Sequence, residues 1–436
     1  MKAKEVILLI FIVLVGVFFS RLYNEELEFE ADWGKGWLFG YEEFVFEESQ
    51  ILESPALSHL HVLNSHGSVE VRGTDKSTVS VTLEKRIWRK NEADAREVAN
   101  KLKMIIDQDG PVMTISNNRQ DFKKKSFETY YSIEVPEGIK VNITNSLGPV
   151  KAERVGDTDI TNRYGEVISL EIDGTLTISN SYDEVNIEDI SSDCTIEGRH
   201  ADINILNVSG TVDIKNIHAK LTLEEIEKEV TIRSPHSRIY GWDITGNMDI
   251  ENSYEKIELS DVGTVKISGD QSPVQIDGAD GDIDINNRYS KVRLKNIRGS
   301  IFIEGKDLGI FGNTVHGEKI TIHSTYDDIE LEQFSGETSI TLAHGKIYLT
   351  PSPLIRPLEI RGSHADIKFF WPESGTYPIV IQAKQGQILW KLDSAVSSQK
   401  DNGLSVVKAF TDESGKPSIF LSTEYGTVSV EKSIVI

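Results

Sequence analysis

Isoleucine recurs at positions 143, 160, 178, 196, 214, 232, 250, 267, 285, 303, 322 and 340, each seventeen to nineteen residues after the last. A unit of that length is too short to bury its own apolar face, so it must stack on its neighbours, and the chain is confined to a solenoid. Four residues after each Ile runs a second column: Leu147, Tyr164, Tyr182, His200, His218, His236, Tyr254, Gln271, Tyr289, Asp307, Tyr326 and His344. Two residues before that column Asn predominates, as at Asn162, Asn180, Asn216, Asn252 and Asn287.

Alternation decides which kind of solenoid this is. In one repeat Leu176 and Ile178 alternate with polar residues, Asn180 and Tyr182 mark a bend, Val185 and Ile187 alternate again, and Ile190 closes the unit. Cys194, Ile196, His200, Ile203, Ile205 and Val208 repeat the pattern in the next. Period-two apolar pairs between Gly, Asn and Asp are short strands joined by turns, which excludes helical repeats. The intervening Thr177, Thr195, Asp213, Thr231, Asp249 and Asp284 should face water. The expected fold is all-β, a parallel β-helix (β-solenoid) with rungs of about 18 residues. Twelve such rungs at about 4.8 Å each would extend roughly 58 Å.

A stack of strands has open edges that invite aggregation, so each end needs a cap. Residues 139–350 form the regular array. Before it, residues 56–138 hold strand patterns at Thr78–Ile87, Val112–Ile115 and Tyr130–Val135, interrupted by one short amphipathic helix near 91–104 that carries Ala95, Val98, Ala99 and Leu102. After it, residues 351–436 read as irregular rungs and a cap, with the columns continuing through Ile360/His364, Ile381/Gln385 and Leu421/Tyr425 in that order. Trp371 and Trp390 belong to this closing tail.

At the N-terminus Lys2 and Lys4 precede an uninterrupted apolar run from Val6 to Phe19, then Ser20 and Arg21. Fourteen helical residues span about 21 Å against a hydrocarbon core of about 30 Å, and the flanks extend the run into a short transmembrane anchor. Val17-Phe18-Phe19-Ser20 lacks the small-x-small pattern of a cleavage site, so the expectation is an uncleaved single-pass helix over 1–23. The lysines would lie inside and the bulk of the chain outside the cell membrane. Residues 24–55, with Glu25, Glu26, Glu28, Glu30 and Asp32 among Trp33, Trp37, Phe39, Phe44 and Phe46, read as an acidic juxtamembrane linker.

The 69 acidic residues outnumber 46 basic ones, and a formal charge of -23 repels phosphate backbones, which argues against nucleic-acid partners. The single Cys194 stands where other rungs have Leu176, Val212, Val230 and Met248, so it is a core position and no disulfide or zinc framework exists. His200, His218 and His236, eighteen apart, would lie one above another and are the first candidates for a shared metal. Because Tyr fills the same column elsewhere, the packing reading is preferred, with stacked rings adding about 0.5–1.5 kcal/mol each. Asp280 and Asp282, in the acidic turn from Asp277 to Asp284, are candidate Ca²⁺ ligands but lack EF-hand spacing and read as a solvated turn. His59 and His61 share a strand face without a third ligand nearby in sequence. No catalytic or dinucleotide motif is present, no cofactor is called for, and the chain is read as a non-enzyme.

Asn64–Val71 (NSHGSVEV), Tyr131–Gly138 (YSIEVPEG) and Thr423–Val430 (TEYGTVSV), together with the rungs between them, resemble a bacterial family of putative adhesins of unknown function. The resemblance covers most of residues 56–436 and implies a membrane-anchored parallel β-solenoid at or beyond the membrane. It supplies no catalytic residues. The function expected is a surface binding or adhesion module meeting a glycan, cell-wall polymer or envelope protein. The alternative is a self-associating scaffold or an accessory of envelope-stress signalling. A glycan-active enzyme is a third reading, and it would need a localised pair of carboxylates.

Overall fold

The computed structural model describes residues 41–53, 56–123, 125–373, 375–413 and 415–433. The expected anchor at 1–23 and the first part of the linker lie outside these. Among the described residues no helix is long and apolar enough to cross a membrane.

Most regular rungs lay down two strands, for example Leu176–Ser181 and Val185–Ile190, followed by Cys194–Arg199 and Ile203–Val208, and at Ile283–Ile297, Ile301–Val315 and Glu337–Pro351 the two run on as one. First strands pair in parallel with first strands, Ile178 opposite Ile196 and Ile196 opposite Ile214, and second strands with second strands, Ile187 opposite Ile205. This in-register pairing turns every column of the sequence into a column in space. The twelve isoleucines are each no more than 1 % exposed, and Cys194 lies among them as expected. Burying each such side chain contributes about 1.5–3 kcal/mol, so the column is the spine of the fold. A third corner carries glycine because the rungs touch there: a Cβ on Gly246 would stand 2.0 Å from the carbonyl oxygen of Lys228.

The described residues divide into two compact units. The smaller comprises residues 41–48, 83–104 and 117–130. Its helix, Glu92–Lys101, starts where the Asn91 side chain accepts the Asp94 amide at 2.9 Å, and it buries Ala95 and Ala99 against Ile87, Leu102 and Phe127. Lys85, 4 % exposed, donates to the last-turn carbonyls of Ala99 (3.2 Å) and Leu102 (2.6 Å) and pairs with Glu48 at 2.6 Å. A cation at a helix C-terminus satisfies carbonyls that have no partner inside the helix. The segment read as a linker differs from that expectation: Glu42–Glu53 is a strand that pairs with Thr78–Arg89, and Phe44 and Phe46 pack on the helix cluster. Alternating aromatics within the acidic run supply the apolar face a strand needs.

The larger unit is the solenoid. Through the array the order of rungs in space is their order in the chain. At both ends it is not. Val62 pairs with Ile143 on one side and with Ile115 on the other, so the first rung in sequence is the second in space. Likewise Leu421 lies between Ile360 and Ile381, and Val428 between Ile367 and Ile388. The columns that run Ile360, Ile381, Leu421 along the chain are thus stacked Ile360, Leu421, Ile381 in space. With this exchange the last rung of the chain has both edges paired, and the exposed edge of Ile379–Lys384 is covered by the antiparallel strand Leu404–Ala409.

Candidate functional site

The bend column is the most distinctive surface of the solenoid. Its residues adopt left-handed backbone, with φ between 51° and 76° at Tyr182, His200, His218, His236, Tyr254, Gln271, Tyr289 and Asp307. Non-glycine residues enter this region at a cost of about 1–3 kcal/mol each, so neighbouring structure must hold them there. It does so in two ways. From Tyr182 to Gln271 each bend amide donates to the carbonyl just before the equivalent residue one rung on, as Tyr182 to Arg199 and His200 to Ile217, both at 2.9 Å. Beneath the bend, buried Asn side chains donate Nδ2 to backbone oxygen in the rung before: Asn180 to Gly165 (3.3 Å), Asn216 to Ala201 (2.7 Å) and Asn252 to Ser237 (2.8 Å). The Asn column is therefore a column of side-chain bonds to the main chain of the rung before.

Held this way, the rings stack. Tyr164, Tyr182, His200, His218, His236 and Tyr254 follow one another at centroid distances of 4.7–5.6 Å and interplanar angles no greater than 21°. A second run joins Tyr326, His344, His364 and Tyr425 at 4.6–4.8 Å. Between the runs the column reads Gln271, Tyr289, Asp307, and the Lys306 ammonium lies 5.4 Å from the Tyr289 ring centre. The packing reading of the column holds, with one addition. Tyr182, Tyr254 and Tyr326 remain 46–52 % exposed, so the stack is a surface feature whose ring faces meet each other and whose edges meet solvent. A polar groove of about 510 Å³ runs beside the break at Gln271, lined by Arg233, Glu251, Asn252, Asp270 and Arg288.

His200, His218 and His236 are brought together face to face, at 5.3 and 4.7 Å, with near-parallel planes. Parallel rings aim their nitrogens along parallel lines, whereas a metal needs them to converge. Among the described residues no three His, Cys, Asp or Glu side chains are grouped to hold an ion. Asp280 and Asp282 are engaged otherwise: Asp280 pairs with Arg298 at 2.6 Å, and Asp282 accepts the Ser300 amide at 2.7 Å. His59 and His61 stack at 4.2 Å, and His59 Nε2 bonds the Asn142 side chain.

Two features escaped the sequence reading. A second left-handed column runs through Glu171, Asp189, Asn207, Glu225, Asp243, Asp261, Asn296 and Thr314, at φ of 50–59°. Its signal is a polar residue directly before the closing apolar one, as in Glu171-Ile172 and Asp189-Ile190. The other is a set of turn carboxylates that accept backbone amides one rung on, Asp157 from Thr175 (2.9 Å) and Asp193 from Thr211 (2.8 Å). Those amide bonds hold both carboxyls below the usual range. Burial pushes the Cys194 thiol up to about 12, which removes it as a nucleophile.

No known protein family matches the sequence, and no curated protein matches it. Among solved structures the chain is similar to a crystal structure described as a putative cell adhesion protein from Clostridium sporogenes, at 9 % identity over 89 % of this chain and 100 % of that one, with a TM-score of 0.17.

Proposed function

We propose that the chain is a membrane-tethered, extracytoplasmic β-solenoid that acts without catalysis as a surface binding module. The observation that carries this reading is the exposed ring stack. It sets phenol hydroxyls and imidazole edges at a fixed rung spacing along a backbone tied down by hydrogen bonds on both sides. A linear partner lying along the axis would meet the same donors and acceptors at every step, with little ordering cost on the protein side. A glycan or cell-wall polymer suits such a surface because its own repeat is a ring bearing hydroxyls. The carboxylates at the acidic turn support a non-catalytic reading, since Asp280 and Asp282 bond to the neighbouring rung.

The tether rests on Lys2, Lys4 and the apolar run Val6–Phe19. Protease shaving of intact cells should remove the solenoid from the full-length chain and leave a membrane-associated stub. A body protected in intact cells and cleaved only after lysis refutes the extracytoplasmic placement. For the binding surface, full-length protein in membranes should co-sediment with isolated cell-wall polymer, and Tyr182→Ser combined with His218→Ser should weaken retention at least fivefold. The self-associating scaffold is less well supported: at the C-terminal end the outermost strand, Ser397–Asp401, is wholly exposed and polar, a device that discourages edge-to-edge pairing.

A further inference from the structure

Charge is unevenly spread over the solenoid, and the exception lies on the ring stack. The bends at 197–202, 215–220 and 233–238 surround His200, His218 and His236. Together they hold five cations, Arg199, Lys215, Lys220, Arg233 and Arg238, against two acids, Glu197 and Asp202. The bends around Tyr182 and Tyr326, at 179–184 and 323–328, hold two acids each and no Lys or Arg. On a chain with a formal charge of -23 the histidine stretch is therefore a local reversal of sign, and a field of that kind draws anions.

Two of these cations are uncommitted. Arg199, exposed directly before His200, and Lys220, exposed two residues after His218, form no ion pair among the described residues. One precedes the bend and the other follows it, in consecutive rungs whose imidazoles stack at 5.3 Å. The Lys220 amide donates to Asp202 at 2.8 Å, and its ammonium lies 5.7 Å from the Tyr240 ring centre. The other three cations have partners: Lys215 pairs with Glu197 at 3.4 Å, Arg233 with Asp249 at 3.0 Å and Glu251 at 3.1 Å, and Arg238 with Glu255 at 3.0 Å. None of these pairs is buried, so each contributes little and leaves its cation open to a stronger anion. Each imidazole adds at least one N–H donor at its edge, where a phenol has a hydroxyl.

We infer that the histidine stretch of the ring stack is an anion-binding site, and that the linear partner of this surface carries phosphate or carboxylate groups along its length. Arg199 and Lys220 hold one such group by charge-assisted hydrogen bonds, the imidazole edges beside them supply further donors, and Arg233 and Arg238 meet the next group along the axis. A neutral glycan would gain nothing from the five cations. This site rests on the reading of the chain as a binding module and narrows the chemistry of its partner.

Full-length protein in detergent, immobilised and titrated with polyphosphate, polygalacturonate and uncharged dextran, tests the site. Saturable binding of at least one polyanion and none of dextran is expected, and raising the salt from about 0.05 M to about 0.5 M should weaken it about tenfold or more. Arg199→Gln combined with Lys220→Gln should weaken it about fivefold or more, whereas Arg199→Lys combined with Lys220→Arg keeps both charges and should retain most of it. Lys400→Gln combined with Lys408→Gln removes the same charge from exposed positions at the C-terminal end and should leave binding unchanged. Binding of polyphosphate alone assigns the site to phosphate, and binding of polygalacturonate alone assigns it to carboxylate. No saturable binding of either polyanion, or an equal loss in the Lys400 and Lys408 variant, overturns the site. Retention on isolated cell-wall polymer while both polyanions stay silent removes the anion site and leaves the ring-stack reading standing, whereas loss of both removes the binding module itself.

Discussion

The regular array and the two ends of the solenoid are built from the same rung by opposite rules of order. In the array, Ile178 meets Ile196 and Ile196 meets Ile214, so each contact spans one repeat. At the ends, Leu421 sits directly on Ile360, and Val62 lies between Ile115 and Ile143. A repeat stack gains stability from nearest neighbours and frays where a rung has one neighbour only. By placing the chain-terminal rungs second in space, the fold gives each of them two paired edges. The exchange teaches that closure here is a matter of topology as well as of capping side chains.

Four substitutions and one truncation would break or sharpen that contrast. The largest effect is expected from ending the chain after residue 418. Buried Ile419, Leu421, Val428 and Val430 would be lost, and Ile360 and Ile381 would face each other across a missing rung. Amide exchange protection should then collapse from about residue 358 onward while the array at 139–350 keeps its own. If residues 379–390 stay protected, they form an independent terminal rung and the exchanged order is wrong. Next comes Ile214→Asp in the middle of the array, where an unpaired charge at a fully buried site should cost several kcal/mol. An unmoved denaturation midpoint would refute the inward assignment of the column. Asn180→Ala removes the bonds to the Gly165 and Asp183 carbonyls and should cost about 1–3 kcal/mol, with exchange quickening first around the bend at 180–184.

The helix-bearing unit should show its own pH signature. Burial and the bond to Glu128 push the Tyr130 hydroxyl up to about 12 from an ordinary 10.0. Above pH 10 the unfolded chain therefore ionises this group before the folded one does, and stability falls as pH rises from 10 toward 12. Tyr130→Phe should flatten that limb of the pH profile; an unchanged slope would place the loss elsewhere. Smallest of all is Cys194→Val, expected to change stability by less than about 1 kcal/mol because Val already fills the column at 212 and 230. In the wild type, alkylation of this thiol should proceed only through opening of the rung, and fast labelling of the folded protein would contradict its burial.

Much of the solenoid was legible because its contacts are periodic. A residue type repeated every rung advertises its own environment, so the Ile column and the stacked rings could be read from the sequence, and the Thr and Asp between them face outward but in part only half-exposed, as at Thr195, Asp213, Thr231 and Asp249. The helix was also legible, from Ala95, Val98, Ala99 and Leu102 spaced among charged residues, whereas its Asn91 cap is visible only in the fold. The strand at Glu42–Glu53 was obscured by acids that outnumber the alternating Phe44 and Phe46. The left-handed bends escaped because a column shared by Tyr, His and Gln carries no glycine to mark positive φ, and the hydrogen bonds on either side that hold it there are visible only in the fold.

Sequence alone determined the rung, its period, its inward residues and the parallel register, since a one-residue slip would turn every isoleucine outward. Tertiary structure alone decided the order of rungs at the two ends and the exposure of the ring stack. These depend on contacts such as Leu421 with Ile360, sixty-one residues apart in the chain. No local period encodes a pairing made once, and its partner is chosen by which open edge is left when the array has closed.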